Sequence, residues 1–170
     1  MFKSPSEPVT LSMMLDHREQ RMLEQEKIRN IYHTPLISFT MNIPGPIKSA
    51  PIIRRAFEEG KHILLERLKE NRLNVLASNE FHECTGDELI LAIDTSTKLL
   101  KDITSNIEEH HPYGRLFDMD VLDANGNKVS RTHYRTCLLC NKQAQDCARN
   151  RTHSVDELVN AIIKLIDNKD

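Results

Sequence analysis

From Leu36 to Ile43 the chain alternates strictly, with Ile37, Phe39, Met41 and Ile43 apolar and Ser38, Thr40 and Asn42 polar. That period of two belongs to a strand with one buried face. Pro44-Gly45-Pro46 ends it, and Ser49 followed by Pro51 marks a helix start. Ile53, Phe57, Leu64 and Leu68 then recur at helical spacing as far as about Asn71, with Gly60 placed to allow close packing. Leu73 to His82 and Glu88 to Ile93 flank the turn Thr85-Gly86-Asp87 and read as a hairpin. Leu99, Leu100, Ile103 and Ile107 predict a helix from about Thr95 to His110. A strand from Arg115 to Leu122 follows, in which Phe117, Met119 and Val121 alternate with Asp118 and Asp120, and Asp123-Ala124-Asn125-Gly126 makes the next turn.

The order strand, helix, strand, strand, helix, strand predicts an α+β fold, a ferredoxin-like βαββαβ antiparallel sheet of order 4-1-3-2. It is flanked by an N-terminal helix and by a C-terminal Cys-rich loop plus helix. The N-terminal helix, Leu11 to about Asn30, carries a thin apolar stripe of Leu11, Leu15, Met22 and Ile28 that suits packing on the domain edge. Proline-rich residues 1–10 are expected to be loosely ordered. The last helix opens on the capping box Ser154-Val155-Asp156-Glu157 and presents Val155, Leu158, Val159, Ile162, Leu165 and Ile166. Residues 1–170 are expected to form one domain, with 132–170 as the Cys/His loop and terminal helix. In a 4-1-3-2 sheet the end of strand one and the start of strand four share an edge. Loop 44–48 should therefore meet His111-Pro112-Tyr113-Gly114-Arg115, with Asp118 and Asp120 beside Ser38, Thr40 and Asn42 on the open face.

Composition narrows the chemistry. The 170 residues carry a net charge of −2 with both signs interspersed, so no basic surface points to nucleic acid. Aromatic residues are 5% and Trp is absent, which leaves little for base stacking. Asp16, His17, Arg18 and Glu19 interrupt the first helix, so neither a signal peptide nor a membrane span fits, and a cytoplasmic location is expected. Four cysteines in a reducing compartment suggest free thiols or metal ligands before disulfides.

Asp118 and Asp120 on one face of a strand lie about 7 Å apart along the backbone, a spacing at which a magnesium ion turns mutual repulsion into attraction. The same pair also suits a solvated polar face. Calcium is excluded, because Leu122 interrupts the alternating ligands and no Glu stands at the twelfth place. Gly45, Lys48, Arg54 and Arg55 surround a helix start, which suits phosphate, though a proline-stiffened turn with solvated basic residues fits equally. With Arg115 they suggest metal-assisted phosphoryl or nucleotidyl transfer. Cys137, Cys140, Cys147 and His153, spaced C-x2-C-x6-C-x5-H, supply four ligands for a structural zinc; reduced, unrelated thiols are the alternative.

The stretches LISFTMNIPGPIK, HPYGRLFDMDV, Ser130-Arg131 and CLLCNKQAQDCARNRTHSVDEL closely resemble the CitX family, the apo-citrate lyase phosphoribosyl-dephospho-CoA transferases. The resemblance implies transfer of 2′-(5″-triphosphoribosyl)-3′-dephospho-CoA to a serine of the citrate lyase acyl carrier (gamma) subunit, with release of diphosphate. On that chemistry Asp118 and Asp120 would hold magnesium, Lys48, Arg115, Arg54, Arg55 and Arg131 would offset charge on the leaving group, and His111 would be a base for the serine. The competing function is a zinc-stabilised protein-binding module without catalysis. An enzyme requires Lys48 and Arg115 to converge with the carboxylates, whereas a binding module lets them scatter.

Overall fold

The computed structural model describes residues 7–131 and 133–167. Its elements are α1 (Leu11–Tyr32), β1 (Leu36–Met41), α2 (Pro51–Glu70), β2 (Val75–Glu83), β3 (Gly86–Ile93), α3 (Thr97–His110), β4 (Phe117–Leu122), α4 (Ala144–Arg149) and α5 (Val155–Asp167). The sheet runs β2-β3-β1-β4 with every neighbouring pair antiparallel, the double split βαβ arrangement predicted from the element order.

One face of the sheet makes the core. Ile37 and Phe39 of β1, Leu89, Leu91 and Ile93 of β3, and Phe117, Met119 and Val121 of β4 are buried together with Ile53, Phe57 and Leu64 of α2 and Leu100 and Ile103 of α3. Phe39 stacks on Phe57 with ring centroids 4.9 Å apart and meets Phe117 edge-on at 5.4 Å. Gly60 admits this pairing, because a Cβ there would lie 2.7 Å from the Phe39 ring and 2.8 Å from that of Phe117. The capping box of α5 forms, with the Glu157 carboxylate accepting from Ser154 N at 2.8 Å and Ser154 Oγ from Glu157 N at 3.2 Å.

Three local expectations are corrected. β4 starts at Phe117 and not at Arg115, because Gly114–Leu116 close a 3-10 turn through Leu116 N to Tyr113 O. The Cys-rich segment is not all loop: Ala144–Arg149 is a short helix that carries Cys147 inward. The N-terminal helix does not lie at the domain edge with its leucine stripe inward. Leu11, Leu15 and Met22 are 76%, 53% and 67% exposed, whereas His17 and Ile28 are buried. α1 crosses the open face of the sheet, whose upper half is polar and takes polar partners. Of residues 1–10, 1–6 lie outside the described residues; Val9 N donates to Pro46 O at 2.8 Å, which ties the entry of α1 to the loop before α2.

Candidate active site

Strand register sets the chemistry of the open face in rows. Ala92, Leu36 and Leu122 form an apolar row across β3, β1 and β4; Ile90, Ser38 and Asp120 form the next; Glu88, Thr40 and Asp118 form a polar one. α1 matches them turn by turn. Ile28 packs with Leu36, Ile90 and Ala92, Gln25 Nε2 donates to Ser38 Oγ at 3.1 Å, and Arg21 pairs with the buried Glu88, with His17 Nδ1 3.7 Å from the same carboxylate. Positions 18, 21, 25 and 28 share one helical face.

Where α1 leaves the polar row, a cavity of about 200 Å³ opens, lined among others by Arg18, Arg21, Thr40, Lys48 and Asp118. Buried Asp87 Oδ2 and Arg21 Nε have no hydrogen-bond partner among the described residues, although both residues line this space. Burial, and then the neighbouring charge of Asp120, pushes the Asp118 carboxyl above the usual carboxylate range. Burial likewise lowers Lys48, whose ammonium donates to Ile43 O at 2.6 Å. Carboxylate oxygens of Asp118 and Asp87 thus face the same space as the Lys48 and Arg18 cations, donor types that could hold a divalent cation and phosphate oxygens together. Asp120 lies one register row away and its Oδ2 accepts from Lys128 Nζ at 2.7 Å. Arg54 pairs with Asp87 Oδ1 at 2.6 Å, fixing the start of α2 to the start of β3 beside the cavity.

The outer edge of β4 is closed by a second polar network. Glu108 of α3 accepts from Met119 N at 2.7 Å and from Arg135 at 3.0 Å, and pairs with Arg131; Arg135 also donates to Phe117 O. The Glu108 side chain is 1% exposed. Arg131 is thus committed to Glu108. Lys101, buried on α3, lies in the field of Asp120, Asp118, Lys128 and Arg131.

The remaining expected site residues are not brought together with Asp118. Arg115 donates to Thr136 O and, at 2.7 Å, to Cys137 O, so it braces the Cys-rich segment and lines a different cavity from Lys48. The expected convergence of Lys48 with Arg115 gives way to Lys48 with Arg18 and Arg21, because the 3-10 turn aims Arg115 away from the open face. His111 lies on the core side of the sheet. Its Nδ1 accepts from Tyr113 N at 3.0 Å, its Nε2 is 3.2 Å from Glu59, and its ring rests 5.1 Å from that of Phe117. Arg55 is on the far side of α2, 3.7 Å from Asp167. Gly45 has the left-handed φ of +78°, and a Cβ there would lie 2.7 Å from Val155, so this glycine serves the turn and its packing on α5. Arg18, Arg21, Glu108 and Arg135 escaped the sequence reading. The first two had a signal, since Arg21 and Gln25 fall on the helical face of Ile28, which is buried, with Arg18 one turn earlier at its border with the leucine stripe; the other two had none.

Cys137, Cys140, Cys147 and His153 come together, their ligand atoms all within 4.8 Å of one another. Cys140 Sγ is 3.5 Å from Cys147 Sγ and 3.4 Å from His153 Nε2, close to the spacing of about 3.8 Å that two sulfurs have on a tetrahedral zinc. Burial alone would raise the Cys137 thiol, but donation from the Leu139 and Cys140 amides and the neighbouring thiols brings it down to about 7. Burial and the hydrogen bonds it shares with Cys140 and Cys137 push the Cys147 thiol the other way, up to about 11, so without a metal the pair holds its proton on Cys147, and a metal that needs both thiolates would displace it. The described cysteines form no disulfide, and no described helix is long and apolar enough to cross a membrane.

The model of the CitX family, apo-citrate lyase phosphoribosyl-dephospho-CoA transferase, matches residues 9–169. A relative of that name from Citrobacter koseri is 36% identical over 166 residues, covering 95% of this chain and 91% of the relative. Another from Escherichia coli O7:K1 is 34% identical with the same coverage.

Proposed function

The chain belongs to the apo-citrate lyase phosphoribosyl-dephospho-CoA transferase family, and on that premise we propose that it modifies the acyl carrier (gamma) subunit of citrate lyase. The donor is 2′-(5″-triphosphoribosyl)-3′-dephospho-CoA and the acceptor a carrier serine. The serine oxygen forms a bond to the phosphorus next to the ribose; the bond from that phosphorus to the diphosphate breaks, diphosphate takes the electron pair, and the serine proton is lost to a base. Such a transfer is governed by placing the oxygens in line and by stabilising the charge that builds on the leaving group.

The single observation that carries this reading is the gathering of Asp118, Lys48, Arg18 and Arg21 around one cavity over the acidic strand. Lys48 and Arg18 hold the triphosphate, Arg21 borders it from its pair with Glu88, and Arg54 keeps Asp87 in place at the cavity wall. Asp118, with Asp120 beside it, would hold magnesium, which supplies positive charge to the phosphate oxygens. The upward shift of Asp118 fits this role, because burial and the neighbouring Asp120 outweigh the pull of Arg135, Lys128 and Arg21, and a bound cation would offset both. Zinc on the Cys3His cluster serves stability. Cysteines held reduced or metal-bound suit a cytoplasmic, single-domain transferase.

The test is to incubate the protein with apo carrier subunit, the triphosphoribosyl donor and magnesium, and to weigh the carrier. A gain equal to the donor less diphosphate, located on a serine, is expected. An unmodified carrier in the presence of folded enzyme overturns the assignment.

A further inference from the structure

The cavity under α1 accounts for the triphosphate end of the donor and leaves its dephospho-CoA end without a seat. A second cavity, of about 640 Å³, lies between the β1–α2 loop, the Cys3His segment and α5. That volume is in the range of small-molecule sites, about 300–1,000 Å³. Its walls are apolar, with Leu138, Leu158 and Ile162 among them, while Arg115, Arg135 and Arg151 also border it. No carboxylate is among its described lining residues. Cationic side chains over an apolar bed match an anionic ligand with a long, weakly polar body.

The two cavities are neighbours. Asn42, exposed just past the end of β1, lines both, and its backbone N–H donates to Leu116 O at 2.7 Å, which fixes it to the turn preceding β4. We propose that the larger cavity binds the dephospho-CoA portion of the donor, with the pantetheine arm along Leu138, Leu158 and Ile162 and the diphosphate of dephospho-CoA toward Arg115 and Arg151. The donor then crosses Asn42 to lay its triphosphate beside Asp118. This rests on the transferase reading and adds to it the seat of the non-reacting half of the substrate. It also gives the Cys3His cluster a place in recognition: Cys137, Cys147 and His153 line this cavity, so the segment that a metal would order is one of its walls.

The test is calorimetric titration with dephospho-CoA itself, which lacks the triphosphoribosyl group, into the intact protein and three variants. Ala148→Trp places a large ring in the larger cavity from the exposed side of α4, and Arg151→Glu reverses a charge on it; both positions are exposed, so folding is checked by an unchanged melting temperature. Each is expected to weaken dephospho-CoA binding at least tenfold, while Arg18→Glu, in the smaller cavity, leaves it within twofold of wild type. Wild-type affinity in both larger-cavity variants overturns the proposal, as does loss confined to Arg18→Glu or the absence of measurable binding to a wild-type protein that modifies carrier. The carrier mass assay fails or succeeds separately: dephospho-CoA binding that obeys this pattern in a protein unable to modify carrier leaves the cavity assignment standing and removes the transferase reading.

Discussion

Asp118 is held in a position that costs stability, which fits the proposed role in binding charge. Its native carboxyl binds a proton more tightly than the same group in the unfolded chain, through burial first and Asp120 second, against the opposing pull of Arg135, Lys128 and Arg21. Stability is therefore lost as pH rises, in a window that begins at the ordinary carboxylate value of the unfolded chain and ends at the higher native one. Asp118→Asn should melt higher than wild type at pH 7, and the gap should close as the pH falls below the ordinary carboxylate value, where the wild-type side chain is protonated in both states; thermal scans across that range in metal-free buffer check it. Lys48→Ala and Arg18→Ala should weaken the triphosphate donor tenfold or more and dephospho-CoA little, since their charge faces the other end of the molecule; equal losses for both ligands would contradict the placement. The acidic pair was legible in the sequence because a period of two fixes which side chains share a face. The partners of His111, Arg115 and Arg131 were not, because a short turn and the return of a distant segment decide where those side chains point.

Among the elements, α1 shows how far a pattern reaches. Its extent followed from the sequence, but its orientation did not, since the apolar stripe of Leu11, Leu15 and Met22 faces solvent and the polar face of Arg18, Arg21 and Gln25 meets the sheet. The alternation in β1 and β4 contained the reason: a sheet whose open face presents Ser38, Thr40, Asp118 and Asp120 selects a polar partner. Glu108 belongs to the same scale, because it joins α3, the outer edge of β4 and the chain near Arg131 and Arg135. Glu108→Ala leaves two partly buried arginines and the Met119 amide without their acceptor, and removing one side of such a buried pairing costs about 3–5 kcal/mol. Urea denaturation of the variant should show a loss of that size; a loss below about 1 kcal/mol would mean that solvent replaces the carboxylate.

At the scale of the whole molecule, the topology was legible because element order and antiparallel pairing leave few ways to close four strands and two crossover helices. The Cys3His cluster was legible from spacing, but its contribution to a cavity wall was not, because α4 and α5 approach the β1–α2 loop only in three dimensions. A metal there would hold a polar segment with little core of its own. Purified protein should contain about one zinc per chain, and a strong chelator should lower the melting temperature. Protein prepared without chelator that contains no zinc and melts unchanged would favour free thiols.

The central claim, that donor phosphates and magnesium meet at Asp118 under α1, is tested most directly by the single-turnover rate of carrier modification in Asp118→Asn at saturating donor and magnesium. The account predicts a rate lowered by about a hundred- to a thousandfold in a variant that remains folded and still binds dephospho-CoA. A rate within a few-fold of wild type would contradict it.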